Sequence, residues 1–331
     1  MRICIGGVST HYSSQTRNIE ELSKNANKTM DWSEKTGIQQ VHIVEPGKLT
    51  TDEATVAAKK VLENAKFDPM KVDQLAFISE GISDYLYMDT SKTIIRNIGG
   101  RTDGTIYSYD ICCGNNGTMS VIKMIGNQMI SNPDISVSVI NTALLWERHS
   151  DNRLLGATYL GDGAGAILLQ SDLGCNEILS IAVESMSEYN LVAGFKYGGT
   201  KYDLPGDALR NGEFYYGILD EMHLKGILDH VVETSIRVGK DALKNANLTL
   251  NEIDYVGISG FHKEYNDAIV KEFEENTKVI DSLKTKGYLG TAGVMEVLDC
   301  FINDDTIEKG STMLLIASGI DVNVEAMVIR K

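Results

Sequence analysis

Apolar positions along the chain switch between two periods. Residues 53–65 (EATVAAKKVLENA) repeat at helical spacing, and 73–79 (DQLAFIS) read as a short apolar strand. Residues 118–130 predict a helix with Met119, Ile122, Ile125 and Met129 along one side, and 136–142 (SVSVINT) a buried strand. Strands alternating with helices in this way predict a layered α/β fold.

The second half repeats the outline. A long helix over roughly 224–246 is followed by a strand in EIDYVGIS, a helix from about Asn266 and a terminal pair of strands. Residues 161–169 (GDGAGAILL) and 319–329 (GIDVNVEAMVI) each follow a strand and turn into another apolar strand. No repeat is visible at the level of identity, so duplication rests on element order. Turn formers at Ser171–Cys175 predict the boundary, giving halves 1–172 and 173–331. Residues 195–215, rich in Gly and polar side chains, read as a long loop that covers a site.

Composition narrows the function classes. A chain of 331 residues buries a large core, and 43% apolar with 23% charged residues is ordinary for a globular protein. No apolar run approaches the ~20 residues that span a bilayer. The start, MRICIGGVSTHYSS, reads as a first strand and not as a signal peptide, so the expected location is cytoplasmic. Cys4, Cys112, Cys113, Cys175 and Cys300 lack metal-ligand spacing and read as thiols of a reducing compartment; no metal is expected. A net charge of −15 without a basic cluster disfavours nucleic acid, while a small anionic ligand at a local basic spot remains compatible.

Trp32 with KTGIQQVHI, Asp110 ahead of a helix start, and GDGAGAILL from Gly161 resemble the ketoacyl-ACP synthase III branch of the thiolase superfamily. The resemblance extends over nearly the whole chain. It runs ungapped from Asp110 to SVSVINTA and on to Gly161–Ala166, again from Leu283 to Asp299, and fits the terminal strands GSTMLLIASG and VEAMVIR. It implies a thiolase fold, layered αβαβα with two pseudo-duplicated halves. The glycines of GDGAGA then serve a tight packed turn through positive φ and close backbone approach. No Lys and Ser/Thr follow as in a phosphate loop.

The resemblance also implies a reaction: an acyl group passes from CoA to a cysteine at a helix N-terminus, where dipole and N–H groups stabilise a thiolate, while a His and an Asn hold the thioester carbonyl. Here the cysteine position falls on Asn115, which cannot form a stable acyl-enzyme. Cys113, two residues earlier, is either a substitute nucleophile or, with Cys112, a small core residue. The His position holds Ser259, and His262 follows in GFHKEYND as either a catalytic group or a structural turn residue. The Asn position holds Tyr288, which either donates to a carbonyl or fills a lost cavity. Trp32 resembles the residue stacking on the CoA adenine, with Lys35 near its cationic partner and Arg153 near a second basic contact. Glu80, ending strand LAFIS, reads as a satisfied strand-end carboxylate in preference to a base.

Three functions follow from these residues. The first is an acyltransferase or condensing enzyme on acyl-CoA or acyl-carrier-protein thioesters, with the CoA thioester as substrate and no permanently bound cofactor. The second is a catalytically degenerate subunit paired with an active homologue, since residues acting as a unit lose nearly everything when one is removed. The third is direct transfer between two bound substrates, with Asn115 and Tyr288 as donors and His262 as base. The resemblance further implies a homodimer or heterodimer formed through SVSVINT.

Overall fold

The computed structural model describes residues 2–25, 35–80, 83–85, 88–114, 116–146, 149–150, 153–156, 158–190, 192–211, 213–220, 226–274, 277–320 and 323–331. Ten strands form the frame: β1 (Ile3–His11), β2 (Gln74–Ser79), β3 (Tyr107–Cys112), β4 (Val137–Leu144), β5 (Gly163–Ser171), β6 (Glu177–Ser185), β7 (Tyr255–Ser259), β8 (Lys278–Asp281), β9 (Thr312–Ser318) and β10 (Asn323–Arg330). They run in the order β8-β7-β9-β10-β6-β1-β5-β4-β2-β3. Each half therefore has the same topology: third, second, fourth, fifth and first strand, with the outer three parallel and the two next to the junction each added antiparallel. The halves meet where β1 pairs with β6 at Cys4 and Glu177.

Six helices layer these strands: α1 (Thr50–Asn64), α2 (Thr90–Ile98), α3 (Thr118–Ser131), α4 (Ile227–Asn245), α5 (Lys263–Phe273) and α6 (Thr291–Ile302). Three buried cores show the stacking. One joins α1 and α2 to the outer face of the first half through Ala57, Val61, Ile94, Leu75 and Val139. A second joins α4 and α5 to the second half through Val231, Val238, Ile269 and Leu314. Between them, α3 and α6 bring Ile122, Ile125, Val294 and Leu298 against Ile78 and Ile140 on one side and Leu315 and Met327 on the other. This is the expected αβαβα stack, and α6 is buried along nearly its whole length because both of its sides face a sheet.

The strand SVSVINT lies in the interior, paired with β2 on one side and β5 on the other. Its polar residues are satisfied: Gln74 donates to Ser138 at 2.7 Å, Asn141 to the Gly165 carbonyl at 2.7 Å, and Thr142 to the Ile78 carbonyl at 3.0 Å. A strand with both edges taken cannot pair with a second chain, so the dimer strand implied by the resemblance is corrected. The open edge of this half is β3.

Two other expectations shift. Helix α5 starts at Lys263, three residues before Asn266, because the His262 ring caps it. The stretch 195–215 is not plain loop: Ala193–Phe195 pairs antiparallel with Tyr216–Ile218, and Gly206–Arg210 forms a short helix between them. Phe195 anchors this segment against Phe214 (5.3 Å), Tyr216 (5.5 Å) and His149 (6.0 Å between ring centroids).

In GDGAGA, close approach and not positive φ requires the glycines. A Cβ at Gly161 would stand 2.2 Å from the Lys286 carbonyl oxygen, and one at Gly165 2.6 Å from the Met295 sulfur; neither residue has positive φ. Gly161→Ala is expected to cost about 1–3 kcal/mol by overpacking, read as a lowered urea midpoint, because a backbone carbonyl cannot yield as a side chain can.

Candidate functional site

The C-terminal ends of β2, β3, β7 and β9 and the starts of α3, α6 and β10 come together at one end of the layers. Thr118, first residue of α3, donates its hydroxyl to the Thr291 carbonyl at 2.7 Å, and the Thr291 hydroxyl meets that of Thr142 at 2.8 Å. The two central helices are thus pinned start to start. Crevices outside strand carboxyl ends are the usual ligand sites of α/β sheets.

Glu80 accepts the backbone N–H of Thr291 and so caps α6. Gly290 makes room for it: it has φ +50°, and a Cβ there would come within 2.3 Å of the Glu80 carboxylate. The strand-end reading of Glu80 describes this geometry.

Cys112 is exposed and Cys113 half-buried, with Cys113 packed against the central core. Its Sγ lies 3.7 Å from the Gly117 carbonyl oxygen, and its own carbonyl accepts from Asn323 Nδ2 at 3.1 Å. Gly114 turns the chain with φ +70°. Asn115, the residue at the cysteine position, and Trp32 both lie outside the described residues.

Ser259 and His262 are separated by the fold. Ser259 faces the first turn of α6, where a Cβ at Gly293 would stand 2.4 Å from its Oγ, so the position aligned with the family His is packed shut. His262 stands at the start of α5, and its Nδ1 accepts the Glu264 N–H at 3.2 Å. That bond places the ring proton on Nε2, which is buried and has no hydrogen-bond partner among the described residues. Burial holds the ring below the usual His range, with the Lys35 and Lys263 charges acting in the same direction. With Nδ1 accepting the Glu264 N–H, the neutral ring presents Nε2–H as a hydrogen-bond donor.

Tyr288 is buried and continues a strand-like bridge to Leu160. Its ring stands edge-on to Phe261, 6.4 Å away, so Tyr288 and His262 flank the same phenylalanine in space and sequence. Lys35 is exposed; its neighbour Gly37 packs so tightly on Lys263 that a Cβ would approach its side chain to 2.9 Å. The segment thereby carries the Lys35 charge to the His262 side of the molecule.

Arg153 does not reach the surface. It is 2% exposed and grips Asp162 of the GDGAGA turn through two hydrogen bonds, 2.9 and 2.7 Å, with a further bond to the Leu160 carbonyl. Asp162 also accepts the N–H groups of Val44 (2.8 Å) and Trp146 (2.7 Å). A guanidinium so enclosed faces a carboxylate, and the geometry provides no opening for a ligand phosphate at it.

Sequence reasoning missed Glu325. This fully buried residue of β10 accepts the N–H groups of Met119 (2.9 Å) and Ser120 (2.8 Å) and the Ser120 hydroxyl at 2.5 Å. It caps α3, whose own N-cap, Gly117, supplies no side chain. The available signal was one acid in the otherwise apolar run VEAMVI. Burial pushes its carboxyl up to about 7 despite those three donors.

Residues 243–331 match the family model described as 3-oxoacyl-[acyl-carrier-protein (ACP)] synthase III C terminal. The beta-ketoacyl-[acyl-carrier-protein] synthase III of Wolbachia pipientis wMel is 24% identical over 288 residues, covering 86% of this chain and 85% of that protein. The corresponding protein of Chlamydia pneumoniae is 21% identical over 94% of this chain and 91% of its own. Among solved structures, 3-oxoacyl-[acyl-carrier-protein] synthase III from Aquifex aeolicus superposes with a TM-score of 0.82 at 17% identity, covering 99% of this chain and 100% of that one. OleA from Xanthomonas campestris, in a structure with bound lauric acid and lauroyl-CoA, gives 0.82 at 18% identity over 100% and 99%. The chain thus has the thiolase fold of these synthases, and its C-terminal part matches the synthase III C-terminal family.

Proposed function

We propose that this chain handles acyl thioesters, from CoA or a carrier protein, as an acyltransferase or condensing protein with an atypical active site. The observation that carries this reading is His262: a buried imidazole whose Nε2 has no hydrogen-bond partner among the described residues at the converging strand ends. Such a donor suits a thioester carbonyl oxygen that gains negative charge as the acyl group moves. Tyr288 and Asn115 are proposed as further donors, Trp32 and Lys35 as the grip on the CoA nucleotide, and Arg153 as support for the turn that frames the site. Acyl transfer then breaks the carbon–sulfur bond as the acceptor bonds the carbonyl carbon. We also read the chain as two homologous halves, 1–172 and 173–331, a division supported by the repeated strand order.

The test is turnover of an acyl-CoA panel with intact-mass analysis. Sequential kinetics without an adduct are expected. His262→Ala should lower kcat by about 10²–10³ with KM little changed, as for loss of one oxyanion donor. Absence of both turnover and adduct would overturn the reading. Because Nε2 carries a proton in both the neutral and the charged ring, the donor contribution of His262 should stay level from pH 6.5 to 8, and a loss of kcat towards low pH that disappears in His262→Ala would mark the ring as a base instead.

A second reading, a silent subunit beside an active homologue, is favoured by the open β3 edge. Tyr107 on that strand and Met124 and Ile130 on α3 are exposed apolar residues, as an interface requires. Tyr107→Lys should convert a dimer to monomers in analytical ultracentrifugation, since a lysine on an edge strand opposes strand pairing. An unchanged sedimentation coefficient would rule out β3 as the contact.

A further inference from the structure

We infer that Glu296 is a positioning residue for Tyr288: buried on α6, it holds the Lys286 ammonium and through it fixes the turn that carries Tyr288 to the converging strand ends. This rests on the proposed role of Tyr288 as a donor to the thioester carbonyl. Glu296 is 4% exposed, on a helix whose other buried positions are small or apolar apart from Thr291. An acid so placed needs partners, and it has four. Lys286 Nζ pairs with its Oε1. The Tyr12 hydroxyl donates to Oε2 at 2.7 Å, the Thr10 hydroxyl lies 3.0 Å from the same oxygen, and Cys300 Sγ lies 3.6 Å from Oε1. Burial opposes ionisation, yet the Lys286 charge and these donors hold the Glu296 carboxyl below the usual Glu range. The Lys286 ammonium also sits over the Tyr12 ring, 4.0 Å from its centroid. Glu296 and Tyr12 thus hold one cation, the first by its carboxylate and the second by its ring face.

Lys286 ends the single helical turn Leu283–Lys286, and Tyr288 follows two residues later. The Lys286 carbonyl is wedged against the GDGAGA turn, and Gly287 leaves it with φ +74°, where a Cβ would come within 2.6 Å of the Val41 side chain. The Tyr288 N–H donates to the Tyr159 carbonyl at 2.9 Å, and its own carbonyl accepts from Gly161 at 3.0 Å. Gly290 then turns the chain again, with φ +50°, into α6. Glycines at positive φ have little preference for one path, so a side-chain anchor has to select it. The Lys286–Glu296 pair spans ten positions and closes a loop that contains both glycine turns and Tyr288. Asp299, further along α6, holds the Thr10 N–H and hydroxyl at 2.9 and 2.7 Å. The helix is thereby bonded to the end of β1, and the Lys286 side chain is tied to both.

Fluorine NMR of protein labelled with 3-fluorotyrosine tests the clasp without substrate, with the Tyr288 resonance assigned through Tyr288→Phe. In Glu296→Gln that resonance is expected to move by more than its linewidth or to split, while the resonance of Tyr109, on β3 of the other half, stays in place. Lys286→Met removes the less buried partner of the pair, should give the same result, and decides if Glu296→Gln does not fold. An unmoved Tyr288 resonance in a folded variant overturns the inference, and so does an equal displacement of Tyr109, which marks a change of the whole fold. In turnover, Glu296→Gln should lower kcat about tenfold with KM within about twofold, and add nothing in a Tyr288→Phe background. Full additivity with Tyr288→Phe also overturns it. A wild-type protein without turnover removes the acyl-transfer reading, and the fluorine spectra then decide the positioning by themselves.

Discussion

Asp162→Ala is expected to lower the unfolding free energy by about 3–5 kcal/mol, the cost of breaking a buried ion pair from one side. The Arg153 guanidinium would stay inside, 2% exposed, without its carboxylate, and the N–H groups of Val44 and Trp146 would lose their acceptor. Four chain segments meet at this one side chain, so no small movement replaces it. Urea unfolding followed by circular dichroism reads the loss, and a change under 1 kcal/mol would show that Asp162 is not the hub described. Pairing Asp162→Leu with Arg153→Met should restore part of the stability, because no buried charge is left while the Val44 and Trp146 N–H groups still lack their acceptor.

The wild-type protein should also lose stability relative to E325Q as the pH rises from 5 to 8. The Glu325 carboxyl has its pKa raised from an ordinary 4.5 to about 7, so the folded state favours the protonated form. A group of that sign stabilises below its unfolded value and forfeits the benefit as pH climbs through the folded value. At 1.36 kcal/mol per pH unit the difference is on the order of 3 kcal/mol between the two ends of that range. Urea midpoints at pH 5 and pH 8 for both proteins measure it. Parallel pH profiles would mean that the three donors already compensate the buried charge.

Much of the architecture was legible in the sequence. The helix at 118–130 and the strands at 73–79 and 136–142 match α3, β2 and β4 closely, because their residues face a core on a fixed side and so carry a clean period. The start of α5 was not legible, because its cap is a histidine ring and caps by His have no strong sequence signature. The ladder within 193–218 was hidden for a similar reason: aromatic contacts across the fold hold it, while its glycines and polar residues read locally as loop.

Candidate chemistry divides along the same line. Sequence alone determined the layered α/β class and the duplicated element order, since local period suffices for these, whereas the roles read at positions 115, 259 and 288 are what the resemblance implies. Tertiary structure alone decided that Arg153 is enclosed by Asp162, that SVSVINT is interior while β3 is the open edge, that His262 Nε2 is buried without a hydrogen-bond partner among the described residues, and that Glu325 holds the start of α3. The contacts involved span from nine positions, between Arg153 and Asp162, to 206, between Met119 and Glu325. Burial and hydrogen-bond partners at such separation are properties of packing, which no local pattern encodes.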